Sequence, residues 1–137
     1  MKNSVLFVVV SLLLTCGCAS LVTNRGIELR AESIGVNEGL DIFRNTADQF
    51  RLVVQGPIYR TAGRYYYEAW PPTNQFNNRL HLLMDIDNAK EVTFSAVVYG
   101  TAQDLPTAQA AAEWFRQELE KRHIQYKLWQ ATAYPPP

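Results

Sequence analysis

The chain has 137 residues, enough for one domain with its own core. Hydrophobic residues make up 47% and charged residues 19%, which excludes wholesale disorder. Lys plus Arg and Asp plus Glu stand at 13 each, so no basic footprint points to nucleic acid.

The N-terminus departs from this balance. Lys2 is the only charge before Arg25, and residues 4–14 read SVLFVVVSLLL. That run falls short of the roughly 20 residues a helix needs to cross a bilayer. It has the length of a signal-peptide hydrophobic region behind a positive start. A buried strand or helix of the folded domain is the competing reading. The position directly behind Met1 and Lys2, with small residues following, favours the signal.

Both cysteines of the chain, Cys16 and Cys18, close this run. A secretory route leads to an oxidising compartment, where a pair of cysteines normally means a disulfide. With one residue between them, that ring would be strained. The stretch Leu14-Thr15-Cys16-Gly17-Cys18 resembles instead the lipobox of bacterial lipoprotein signal peptides. Gly17 fits the small position before the modified cysteine. Thr15 departs from the pattern, standing where that family more often has Leu. The resemblance covers residues 1 to about 20. It implies cleavage between Gly17 and Cys18, diacylglycerol on the Cys18 sulfur, and an acyl group such as palmitate on its amine. Residues 1–17 would then leave as a signal peptide, and 18–26 would form the lipid anchor and a short tether. Ala19, rather than Asp, resembles the outer-membrane class, which implies the periplasmic face of that membrane. In a bacterium with a single membrane the same anchor implies the outer face of the plasma membrane. No thiol then remains for catalysis, a cysteine-ligated metal or an internal disulfide.

The eight residues 19–26 reach at most about 28 Å. A first strand is expected over 27–34, so the domain is held close to its membrane. GVNEG at 35–39 reads as a turn, and Leu40, Phe43 and Ala47 lie at the spacing of a short helix. Phe50, Leu52 and Val54 alternate as a strand, which Gly56-Pro57 interrupts or ends. Residues 64–70 form a strand by aromatic content, stopped by Pro71-Pro72. Leu80, Leu82, Met84 and Ile86 alternate without a break. Val92, Phe94, Ala96 and Val98 answer them across a turn at 87–90, which predicts a hairpin.

The strongest helix signal spans about 105–123. Asp104 can cap it and Pro106 suits its first turn. Leu105, Ala108, Ala112, Phe115 and Leu119 make one apolar stripe, while Glu118/Arg122 and Arg116/Glu120 pair on the outer side. Lys121, Arg122 and His123 suit the negative end of the helix dipole. A last strand follows over 125–133, and Pro135, Pro136 and Pro137 end the chain in extended form. The expected fold is α+β over residues 27–134: one mostly antiparallel sheet of four to five strands, with the main helix packed on one face. The closing strand–helix–strand unit can set its two strands parallel.

Two constellations bear on chemistry. His81, Asp85 and Asp87 share a strand face, but His81 and Asp85 stand roughly 13 Å apart along a strand, too far for one ion. DIDN at 85–88 opens like a calcium loop, yet Lys90 and Ala96 occupy the positions that need Gly and Glu. No metal or cofactor is expected. In RYYYEAW at 64–70, alternation puts Tyr66, Glu68 and Trp70 on one face and Tyr65, Tyr67 and Ala69 on the other. Tyr and Trp suit binding surfaces because they join an apolar body to a polar handle. No catalytic motif is present. The leading expectation is therefore a non-enzymatic envelope lipoprotein that binds a protein partner. Two alternatives stay open: a glycan or peptidoglycan module stacking sugars on Tyr66 and Trp70, and an envelope hydrolase using Glu68.

Overall fold

The computed structural model describes residues 23–73, 79–100 and 105–131. Residues 1–17, Cys18, the proposed Asp104 cap and the terminal prolines lie outside the described residues. The elements in chain order are β1 (Thr23–Ala31), α1 (Val36–Gln49), β2 (Val53–Tyr59), β3 (Tyr65–Trp70), β4 (Leu80–Ile86), β5 (Val92–Gly100), α2 (Leu105–Lys121) and β6 (Tyr126–Ala131). A 3-10 turn at Thr61–Gly63 joins β2 to β3.

The fold is α+β, with one six-stranded sheet in the order β2-β3-β4-β5-β1-β6. All of its neighbouring strands run antiparallel. The expectation of four to five strands and one main helix was too small: the sheet has six, and α1 is a second full helix. The predicted β4–β5 hairpin is present, with Ile86 opposite Val92 and Leu80 opposite Val98. β5 and β6 run parallel to one another, as the closing strand–helix–strand unit allows. They are not neighbours, because β1 lies between them and pairs with both.

The expected turn at 35–39 is a correction. Gly35 is the extended N-cap of α1, and Val36 to Gly39 form its first turn. The buried stripe of α1 is Gly39, Ile42, Phe43, Thr46 and Ala47, shifted from the expected Leu40/Phe43/Ala47. Gly39 belongs there because a Cβ would meet Met84 Cε at 3.0 Å, so α1 packs closely on β4. The buried Thr46 hydroxyl donates to the Ile42 carbonyl at 2.9 Å and is thereby satisfied.

Both helices end in the same way. The Leu52 N–H donates to the Ala47 carbonyl and the Ile124 N–H to that of Leu119, each at 2.9 Å. The residues just before them, Arg51 and His123, hold φ near +56° and +57°. This is the left-handed helix stop usually made with glycine. It explains why β2 starts at Val53 and not at Phe50, which caps α1. On α2 both expected pairs form: Arg116 with Glu120, and Arg122 with Glu118 at 3.7 Å.

One face of the sheet is the core face. Leu80, Leu82, Met84, Ile86, Val92 and Phe94 are all 0–1% exposed. Phe115 of α2 stacks on Phe94 with centroids 4.9 Å apart and on Phe43 of α1 at 6.3 Å. One ring therefore ties both helices to the sheet.

The two edges differ. On β2, Gly56-Pro57 interrupts without ending the strand: the register shifts between Gln55 and Ile58. Pro57 offers no N–H to a neighbour, and such bulged edges resist further pairing. β6 keeps unbroken register with β1 from Tyr126 to Ala131. Gly56 sits at φ +128°, and a Cβ there would lie 2.8 Å from Tyr67 Cδ1 and 3.1 Å from the Tyr66 carbonyl oxygen. Gly56→Ala is expected to lower stability by about 1–3 kcal/mol through strain at the bulge. Urea denaturation should show it; an unchanged midpoint would mean that the bulge relaxes freely.

Candidate functional site

Both helices lie on the core face; no described helix packs on the opposite face, where His81, Ser95 and Val97 are nonetheless buried. Strand alternation decides which side chains it shows. Tyr65, Tyr67 and Ala69 turn to the core, with Ala69 fully buried. Tyr66, Glu68 and Trp70 turn to the face opposite the described helices, as their spacing implied. The register sets Tyr66 opposite Asp85 and Glu68 opposite Leu83. Leu83 in turn faces Ser95, and Asp85 faces Thr93.

The structure divides the Tyr66/Glu68/Trp70 set between two neighbourhoods. Glu68 and Trp70 join His81 and Tyr99. The Trp70 and His81 rings stack with centroids 3.6 Å apart, and Tyr99 lies 5.7 Å from each. His81 is 2% exposed. Its Nδ1 is 3.1 Å from the Tyr99 hydroxyl, and its Nε2 is 3.5 Å from Glu68 Oε2. An ionised carboxylate only accepts, so the proton belongs on Nε2, facing Glu68. Nδ1 then accepts from the Tyr99 O–H. His81 and Tyr99 thus form an imidazole–phenol pair, with the Glu68 carboxylate near the far ring nitrogen but not bonded to it. Burial lowers the His81 pKa to about 4, so the ring is neutral at neutral pH. The Glu68 contact is too long and poorly aligned to be a hydrogen bond, and it does not offset that burial. The Tyr99 pKa is raised, first by burial and then by the Glu68 charge. This is opposite to the direction that activates a phenol as base or nucleophile.

Tyr66 belongs to the second neighbourhood, which is charged. The Arg60 guanidinium lies 4.3 Å over the Tyr66 ring. Arg60 and Arg64 donate to the two oxygens of Asp85 at 3.2 and 3.3 Å. These partly exposed pairs add little stability; they fix the turn that carries both arginines. A cavity of about 290 Å³ opens beside it, walled by Arg60 and Arg64 on one side and by Glu28 and Arg30 on the other. Asp87 closes the β4–β5 turn, accepting the Glu91 N–H at 2.9 Å.

His81, Asp85 and Asp87 therefore share a strand face and nothing else. His81 faces Glu68 and Tyr99, Asp85 binds two arginines, and Asp87 holds a turn. Among the described residues, no group of three or more His, Cys, Asp or Glu side chains could hold a metal ion. No described helix is long and apolar enough to cross a membrane.

Sequence reasoning did not single out Tyr99, Arg60 or Arg64. Counting back from the β4–β5 turn sets Arg79 opposite Tyr99 and brings Tyr99 beside His81, so that contact was within reach. The two arginines meet Asp85 only through the β3–β4 register, which no local signal fixes. Comparison of the chain with protein-family models, with curated proteins and with solved structures returned no match.

Proposed function

We propose that this chain is a lipid-anchored envelope lipoprotein, non-enzymatic, whose helix-free sheet face, at its charged end, binds a protein partner on the periplasmic side of the outer membrane. The observation that carries the reading is the one-sided sheet. Both helices pack on one face; on the other, Arg60 and Arg64 wall a polar cavity, with the Tyr66 ring under Arg60. Tyr, Trp and Arg are the residue types that dominate interface energetics. The anchor is supported by the lipobox resemblance at Cys18.

Two features weigh against the alternatives. A sugar platform wants free ring faces, but Trp70 already stacks on His81 and Tyr66 lies under Arg60. A hydrolase needs an accessible carboxyl, but Glu68 is 17% exposed and turned toward His81.

The test places a photo-crosslinking residue at Thr93, in the cavity wall, and in a second strain at Gln117, on the outside of α2. One discrete protein adduct in living cells is expected from Thr93 and none from Gln117. Tyr66→Ala combined with Arg64→Ala should weaken that adduct about tenfold or more, as loss of interface anchors does. No adduct from Thr93, or the same adducts from both positions, would sink the reading. An adduct to cell-wall glycan would move it to the glycan alternative.

A further inference from the structure

The face opposite the described helices is polarised along its strands. At one end stand Trp70, Tyr99 and Arg79; at the other, Arg60, Arg64 and Asp87. The first end is also where β1 begins. Thr23 lies opposite Gly100 and Asn24 opposite Tyr99. The Tyr99 N–H donates to the Arg79 carbonyl at 3.3 Å. The start of β1, the two aromatic rings and Arg79 therefore share one margin of the sheet.

We propose that this margin rests on the phospholipid headgroups of the membrane that holds the anchor, with Trp70, Tyr99 and Arg79 as its contact residues. The proposal rests on the lipid-anchor reading above. Distances decide the orientation. β1 starts at Thr23 and ends at Ala31, not over 27–34 as expected, so the chain between Cys18 and the strand shortens to five residues, at most about 18 Å. β1 is nine residues long, so the far end of the sheet stands roughly 27 Å from Thr23. A tether of that reach cannot hold Thr23 high enough for the domain to stand on its far end. It can let the near margin touch the membrane.

The chemistry of the near margin fits that place. Trp, apolar in body and polar at the tip, concentrates at headgroup level, while Tyr99, its hydroxyl held by His81, offers ring surface beside it. Arg79 is exposed, and a cation near the surface is drawn to anionic lipid. Trp70 and Tyr99 are both part-exposed. The Trp70–His81–Tyr99 stack holds the rings in place, so little side-chain freedom is lost on contact. The domain then stands with its sheet upright, and the charged cavity points away from the membrane toward a partner.

The test uses the full-length protein, purified with its own N-terminus and placed in phosphatidylethanolamine/phosphatidylglycerol vesicles. Bromine labels sit on the acyl chains just below the headgroups. Trp114→Phe with Trp129→Phe leaves Trp70 as the sole tryptophan. A companion protein also carries Trp70→Phe and has its sole tryptophan at the far turn, through Thr61→Trp. The Trp70 emission should fall by roughly half, and that of the companion by less than roughly a tenth. Equal quenching at the two positions overturns the proposal. The wild-type chain supplies a second readout free of tryptophan changes. Amide exchange at residues 70, 73 and 79 should be about threefold slower on vesicles than in unlipidated Cys18→Ala protein. Unchanged exchange there overturns the proposal as well.

The intact mass of the N-terminal peptide separates the two levels of failure. If Cys18 carries no lipid, the anchor reading falls and this proposal falls with it. If Cys18 is lipidated and Trp70 is not quenched, the anchor stands and only the membrane contact is lost. Protection of residues 70, 73 and 79 in cells without quenching on vesicles would assign this margin to the protein partner and overturn the membrane contact.

Discussion

Phe115→Ala is expected to remove about 3–5 kcal/mol of folding stability, the range for emptying a buried phenylalanine site. Phe115 is fully buried. It is the only side chain with ring contacts to both α1, through Phe43, and the sheet, through Phe94, among the described residues. Its loss opens a cavity at the junction of three elements, where a rigid sheet limits collapse. Domains of this size hold about 5–15 kcal/mol in total, so the variant should sit near the edge of folding. Urea unfolding followed by circular dichroism measures it. Phe115→Leu keeps most of the volume and should lose far less. A loss below about 1 kcal/mol for the alanine variant would mean that α2 is not seated on β5 as described.

Acidification should give an effect of similar size at His81. In the unfolded chain this imidazole takes up its proton near pH 6.5; in the fold, burial delays that to about pH 4. Between those values the unfolded chain binds the extra proton, so stability falls as pH falls. The contribution is fully present above about pH 6.5 and is lost by about pH 4, amounting to about 3 kcal/mol. The groups that face the ring are Glu68 from β3 and Tyr99 from β5. His81→Phe keeps a flat ring against Trp70 and cannot titrate. Its stability should change much less than wild type between pH 6.5 and pH 5, a range above most carboxylate titrations. Equal slopes for the two proteins would show that His81 is protonated at no extra cost in the fold, and that it is less enclosed than its 2% exposure indicates.

How far the fold was legible depended on whether a signal was local. The unbroken alternation from Leu80 to Ile86 and the short turn at 87–90 predicted the central hairpin, although β5 runs on to Gly100. The apolar stripe around Phe115 fixed α2 and the side it turns inward. α1 was truncated because two glycines, Gly35 and Gly39, read as a turn. Gly35 ends the preceding coil, while Gly39 is a contact residue that allows close approach to Met84 and Val92. Sequence shows the residue and not the reason for it. The helix stops at Arg51 and His123 were hidden for a related cause, since the left-handed position there carries no glycine. At the site, alternation correctly put Tyr66, Glu68 and Trp70 on one side. It said nothing of their partners, because those come from β4 and β5 through the register across the β3–β4 connection.

The unequal margins of the sheet limit how copies of this chain can associate. β2 is spoiled for pairing by its bulge and Pro57, whereas β6 is regular and carries Leu128, 64% exposed. Two copies joined strand to strand would spend both β6 margins on each other and leave only β2 margins outside. Such growth terminates at a closed pair related by a twofold axis, and an open-ended filament has no second competent margin on which to extend.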